Sequence, residues 1–383
     1  MNKIILFLKN WTLPIAMLAG ALGYWGYVSI PALDGTHEVV NRAIGYIQPL
    51  LLFAMLFVSF CKVSIRQLRP KGWMLEMLAV QVVSFVAMGL FVICWPEVAG
   101  RAVIEAAMIC MICPTATAAA VVTTKLGGNA NVVVSYTCLI NMVVSLLVPA
   151  MVPCLHEVGL PELSFETSFL LILGKVFPLL IMPLVCAWFV RHLFPRVHGW
   201  IVQHGSIAFY LWAVALALAI GVTVKAVVHS KESLWVLVGI AAASLVCCLA
   251  QFWTGRKLGL RHGEMVAGTQ SLGQKNTVFA IWMAYTFMNP VTAMAGGFYS
   301  VWHNVVNSWQ LYRMRGSKRR QEEARGGERR QEEARGGVLF VEQFGYEVGA
   351  VDASQFTDDV LALGGLIPEE ELTLGKFVSL CLG

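Results

Sequence analysis

The chain has 383 residues, 57% hydrophobic and only 13% charged, with a formal net charge of +5 and a mean hydropathy of +0.68. A water-soluble protein of this length needs far more polar surface, so a soluble globular fold is excluded and the bilayer is the solvent to reason from. Its apolar stretches are long enough for a helix to cross about 30 Å of hydrocarbon, and the short alternating segments of an outer-membrane barrel are absent.

Lys3 and Lys9 precede an apolar run, as in a signal peptide, but no small-x-small cleavage site closes it. The segment reads as a retained first helix. Spans are predicted near 11–30, 39–60, 73–95, 102–124, 132–155, 168–190, 206–228, 234–254, 263–288 and 290–310. The expected class is therefore an all-α polytopic membrane protein of ten transmembrane helices. Alternation places Lys3, Lys9, Lys62, Arg66, Arg69, Lys71, Lys125, Arg191, Arg196, Arg256, Lys257, Arg261, Arg313, Arg315 and Lys318 on one side. Only Arg42, Arg101, Lys225 and Lys231 fall on the other. That bias puts both termini in the cytoplasm of a multi-pass protein of the bacterial inner membrane. The positive balance follows from loop placement and implies no nucleic-acid partner. Nine of the ten cysteines lie in or beside apolar runs, which excludes a disulfide framework. The spacing of Cys110 and Cys113 lacks a second pair or a histidine cluster, and both read as packing residues.

Two spans are poor continuous helices. In the fourth, Pro114 falls near the middle of "AMICMICPTATAAAVVTT" (107–124), where proline removes a backbone donor and clashes with the preceding turn. In the ninth, "VAGTQSLGQKN" (266–276) places Gly268, Gly273 and several polar side chains inside an apolar run. Pro114, Gly268 and Gly273 are the expected helix-breaking positions. Irregular backbone at that depth survives only where protein buries it or water reaches it. Fourth and ninth are equivalent places in two five-helix halves, and an odd number inverts the second half. Broken, crossing helices in inverted repeats mark a transporter core with a site at the midplane.

The stretch "CPTATAAAVVTTKLGGNANVVVSYTCLINMVVSLLVP" (113–149) resembles the bile acid:sodium symporter family, whose pattern is Cys-Pro-Gly-Gly-Thr-Ala-Ser-Asn-Val, a short turn and a Ser/Thr-rich span. "QSLGQKNT" (270–277) is similar to that family's ninth-span Glu-x-Gly-x-Gln-Asn. The resemblance covers roughly residues 1–312. It implies a ligand set drawn from Thr115, Thr117 and Thr137 with Ser271, Lys275 and Asn276. The family's Ser-Asn sodium ligands fall on Ala119 and Ala120, its glutamate on Ser271 and its glutamine on Lys275. A third-span glutamine matches Gln81. The sodium site is therefore expected to be lost, with no other cofactor or metal. The Lys275 ammonium takes the cation position, bonded to Ser271, Thr117 and exposed carbonyls. Transport is then sodium-independent, driven by the substrate gradient or by protons if Lys275 titrates.

Lys275 is about twelve residues from either end of its span, too far to reach water, and an interior charge is functional by default. Lys175 and Lys225 lie near helix ends and reach water along their stems. Glu105 reads as interfacial and Glu264 as solvated beside a loop. Gln48 and Pro49 either line a cavity or mark a kink. His303, Asn304 and Asn307 form one stripe for bonding neighbouring helices.

Residues 1–312 thus read as the transporter domain, 313–337 as a charged linker containing the direct repeat "RRQEEARGGE" (319–328) and "RRQEEARGG" (329–337), and 338–383 as an acidic tail. The tail is either a non-homologous appendage or a cytoplasmic regulatory segment. The expected function is secondary transport of a small organic anion. No HExxH, GxSxG or paired intramembrane aspartate supports an enzyme. A receptor without transport and an arsenite-type exporter using Cys110 and Cys113 are the alternatives.

Overall fold

A computed structural model describes residues 3–62, 70–155, 164–204, 207–314 and 316, with side chains from Ile15 onward except Phe209. Two compact units divide the chain, Met1–Asn307 and Ser308–Gly383. In the second, 308–314 is helical and the Arg313 guanidinium lies 5.0 Å from the Trp309 ring centroid. The charged repeat and the acidic tail fall outside the described residues, as do Arg66 and Arg69.

The first unit is helical throughout its described elements. They are α1 (Lys3–Val28), α2 (His37–Cys61), α3 (Met74–Cys94), α4 (Arg101–Ile112), α5 (Ala118–Lys125), α6 (Ala130–Met151), α7 (Phe165–Leu193), α8 (Pro195–Gln203), α9 (Ile207–Val228), α10 (Leu234–Arg261), α11 (Met265–Gly273), α12 (Thr277–Phe287) and α13 (290–307). Six helical segments among the described residues are long and apolar enough to cross a membrane: Pro31–Cys61, Met74–Cys94, Ala130–Leu155, Phe165–Leu193, Tyr210–Val228 and Leu234–Arg261. The exterior is apolar in keeping with this, with Leu22, Leu50, Val83, Leu170, Val246 and Trp235 exposed. The expected fourth span is two helices, α4 and α5, and the expected ninth is α11 and α12. Each part is too short to cross about 30 Å alone.

Local chemistry sets the ends. Ser164, Ser233 and Asn289 each accept a hydrogen bond from a backbone N–H at the start of α7, α10 and α13. Gly127 and Gly263 turn the chain at φ 78° and 70° between α5 and α6 and between α10 and α11, where a side chain is disfavoured. Pro49, Pro149, Pro178 and Pro183 are accommodated inside helices. In α2, therefore, the helix continues through Pro49.

Packing forms two groups. In one, α9 contacts α1 and α2, and α2 contacts α7; in the other, α4 contacts α3 and α10, and α11 contacts α5, α6 and α10. The groups meet through α6 on α7 and through α12, which contacts α2 and α9 of the first and α4 of the second. Helices α10 and α11 approach at backbone distance, where a Cβ added at Gly255 would stand 2.3 Å from the Gly268 carbonyl oxygen. One at Gly268 would stand 2.5 Å from the Gly255 oxygen. Gly268 therefore does not break the ninth span: α11 runs through it unbroken, and the residue serves backbone-to-backbone packing.

Glu105, near the start of α4, is enclosed by protein. It is 1% exposed, pairs with Arg101 Nε at 2.8 Å and accepts from Asn289 Nδ2 and Thr292 Oγ1. Arg101 also donates to the carbonyls of Pro96 and Leu155. These bonds tie the start of α4 to the start of α13, and the carboxylate is buried because its lone pairs are occupied. Glu264 accepts from Lys71 Nζ at 2.8 Å rather than standing free in solvent.

Candidate functional site

The two interruptions meet. Residues 113–117 separate α4 from α5, residues 274–276 separate α11 from α12, and Thr115 and Lys275 form an antiparallel backbone bridge. Ala116 N–H donates to Gln274 O at 3.0 Å and Asn276 N–H to Pro114 O at 2.8 Å. Each break thus supplies what the other lacks: donors freed by leaving the helix find carbonyls freed in the same way. Burial is continuous from Ala267 to Ala284, so this crossing lies in the interior.

Side chains from neighbouring helices complete it. Gln81 on α3 donates to Met111 O at 2.8 Å and Cys113 O at 3.3 Å, and its oxygen accepts from Tyr136 on α6. Gln251 on α10 donates to Cys110 O at 3.1 Å and to the Tyr299 hydroxyl, which itself donates to Gly273 O at 2.9 Å. Orphan carbonyls at the ends of α4 and α11 are thereby satisfied. The sequence reading matched Gln81 by position alone and missed Gln251, Tyr136 and Tyr299. A glutamine in the middle of an apolar helix was the available signal. The amide of Gln274 donates to Gln270 and to Asn307 on α13, so Asn307 bonds the second interruption, whereas Asn304 bonds Ser300 O on its own helix.

The predicted site residues divide between two places. Thr115, Ser271, Lys275 and Asn276 share the crossing, with Thr115 Oγ1 donating to Ser271 O at 2.7 Å and Asn276 Oδ1 capping α12 at Phe279 N–H. Pro114 and Gly273 sit at the breaks. Thr117 and Thr137 instead line a cavity of about 230 Å³ between the C-terminal end of α2 and α5 and α6, with Ala116, Ala120 and Lys62. Thr137 Oγ1 is taken up by Val133 O one turn back. Burial holds the Lys62 amine below the ordinary lysine value.

Lys275 is 2% exposed, and its Nζ has no hydrogen-bond partner. The expected bonds to Ser271 and Thr117 are not made; Ser271 Oγ is also without a partner. Among the described residues, Cys113, Cys110, Cys247 and Cys248 are titratable groups in electrostatic reach of the amine. Cys113 Sγ donates to Asn276 O at 2.9 Å, and among the described residues no group of three or more His, Cys, Asp or Glu is arranged to hold a metal ion.

A second, larger cavity of about 550 Å³ lies between α1, α2, α9 and α12, reaching Trp282, Tyr285 and Thr286 on α12. Gln48 lines it from α2 and Lys225 from α9. Lys225 does not simply extend to water: its amine donates to Asn41 Oδ1 at 2.8 Å. Lys175 lies with its amine 5.6 Å from the Phe287 ring centroid. No protein-family model matches the chain, and no curated protein sequence matches it.

Proposed function

We propose that the chain is a secondary transporter for a small organic anion, related to the bile acid:sodium symporters and built as ten crossings in two inverted five-helix halves. The observation that carries this reading is the crossing: two interrupted helices joined through Thr115 and Lys275, around an amine that is buried and unpartnered. Interior irregular backbone is expensive and is kept where a ligand passes. A repeat is supported by the matched pairs Gln81 with Tyr136 and Gln251 with Tyr299, which fall on the third and fifth and on the eighth and tenth spans. The cavities lie at opposite ends of α2, as two access routes to one crossing would.

In this reading the Lys275 ammonium stands where a coupling cation would sit, so transport runs without sodium. Thr117 and Thr137 contact the anion from the smaller cavity, and Thr115, Ser271 and Asn276 shape the crossing behind it. The N-termini of α5 and α12 add partial positive charge there. Both termini lie in the cytoplasm of a bacterial inner membrane. Proteoliposome flux of labelled organic anions tests this: uptake without sodium that is lost in Lys275→Ala is expected. Sodium-dependent uptake, or full flux in that variant, overturns it.

A further inference from the structure

Between α7 and α9 the chain makes a short detour at one end of the bundle. Phe194, at φ −128° and ψ 62°, ends α7, and Pro195 opens α8. Nine residues rise only about 14 Å, so α8 crosses nothing. Its contacts fix its height. Helix α8 packs on α7 and α2, and His198 Nε2 lies 2.9 Å from the carbonyl oxygen of Cys61, the last residue of α2. Arg191 Nη2 donates to the same oxygen at 3.5 Å. Both α2 and α7 are long and apolar enough to cross the membrane, so α8 lies at the level where they end.

The faces of α8 differ. His198 and the partly buried Ile201 turn toward the bundle. Arg196, Trp200 and Gln203, spaced i, i+4 and i+7, fall on one outward stripe, and all three are exposed. Val197 and, just before the helix, Phe194 are about half exposed beside it. The Trp200 ring stacks on His204 with centroids 4.6 Å apart. Exposed apolar rings next to an exposed guanidinium suit the boundary between lipid headgroups and acyl chains. Arg196 forms no ion pair among the described residues. No aspartate or glutamate occurs between Glu166 and Glu232, so this stretch offers a headgroup cations alone.

We propose that the outward stripe of α8 binds an anionic glycerophospholipid. The Arg196 guanidinium takes the phosphodiester through paired hydrogen bonds, and the Gln203 amide donates to the headgroup. Trp200, Val197 and Phe194 lie against the glycerol backbone and the upper acyl chain. A zwitterionic lipid brings an ammonium that this stretch has no carboxylate to accept, so the net charge of the headgroup decides the preference. The site rests on α2 and α7 spanning the bilayer and on nothing about transport.

Trp200 itself reports on the site. The full chain is reconstituted in phosphatidylcholine bilayers in which brominated phosphatidylcholine or brominated phosphatidylglycerol replaces the ordinary lipid stepwise. The Trp200 signal is the difference between the unsubstituted chain and Trp200→Phe. Its half-maximal quenching is expected at about a fivefold lower fraction of the anionic lipid than of the zwitterionic one. Arg196→Gln makes the two lipids equal, whereas Arg196→Lys keeps part of the preference. Arg196 is exposed and unpaired, so the thermal midpoint in phosphatidylcholine is unchanged in both variants, which separates lost binding from lost fold. Lys71→Gln removes a charge from the loop after α2 and leaves the preference as it was. Equal quenching by the two lipids, or a preference that survives Arg196→Gln, overturns the proposal. So does an equal loss in Lys71→Gln, which makes the effect one of general surface charge. Absence of quenching by either lipid also overturns it, since another surface, such as a second copy of the chain, then covers α8.

Discussion

The two interruptions solve one problem with different means. The first, 113–117, is made of small residues, and its freed carbonyls are taken up from outside by Gln81 and Gln251. The second, 274–276, carries large polar residues, and part of its bonding is its own: Gln274 reaches Gln270 and Asn276 caps the next helix. The helix that leads into it, α11, is held against α10 at glycine distance. What remains at the crossing after both accounts, among the described residues, is the Lys275 amine, the Ser271 hydroxyl and the Gln251 side-chain oxygen, with nothing bonded to them, and of these only the amine carries a charge. A buried group that the fold does not need for its own satisfaction is the natural place to look for function.

Substitutions that act on one interruption and not the other sharpen this contrast. The largest effect is expected at the α10–α11 contact, where Gly268→Val pushes a side chain into the Gly255 backbone. Overpacking of that kind costs about 3 kcal/mol or more, and the thermal midpoint of the purified protein should fall steeply. Gln81→Leu comes next: it strips the donor from Met111 O and the acceptor from Tyr136, worth about 1–3 kcal/mol, readable as a lower midpoint. Should that variant match the wild type, the first interruption does not depend on outside help.

Lys275→Met is expected to act in the opposite direction. Removing an unpartnered buried amine while keeping its apolar length should raise stability by about 1–2 kcal/mol, even as anion flux is lost. A drop in midpoint would mean that the amine is bonded and structural. The smallest effect belongs to the Lys71–Glu264 pair, which is partly exposed. Lys71→Ala should cost no more than about 1 kcal/mol, with raised ionic strength erasing the difference.

The sequence by itself determined the setting and the places of interruption. Composition forces the lipid solvent, Pro114 removes a donor in the middle of an apolar run, and the polar cluster around Lys275 cannot continue a plain helix there. These are local properties, legible without knowing any neighbour. Only the tertiary structure decided what each polar residue is for. Gly268 turned out to be a packing glycine because α10 lies against it, and Glu105 is buried because Asn289, distant in sequence, turns back onto it. Gln251 and Tyr299 became part of the crossing, and Lys225 and Gln48 part of one cavity wall, by the same cause. A side chain's partner across a helix bundle is set by packing between segments far apart in the chain, and no local pattern records which groups that packing will bring within bonding distance.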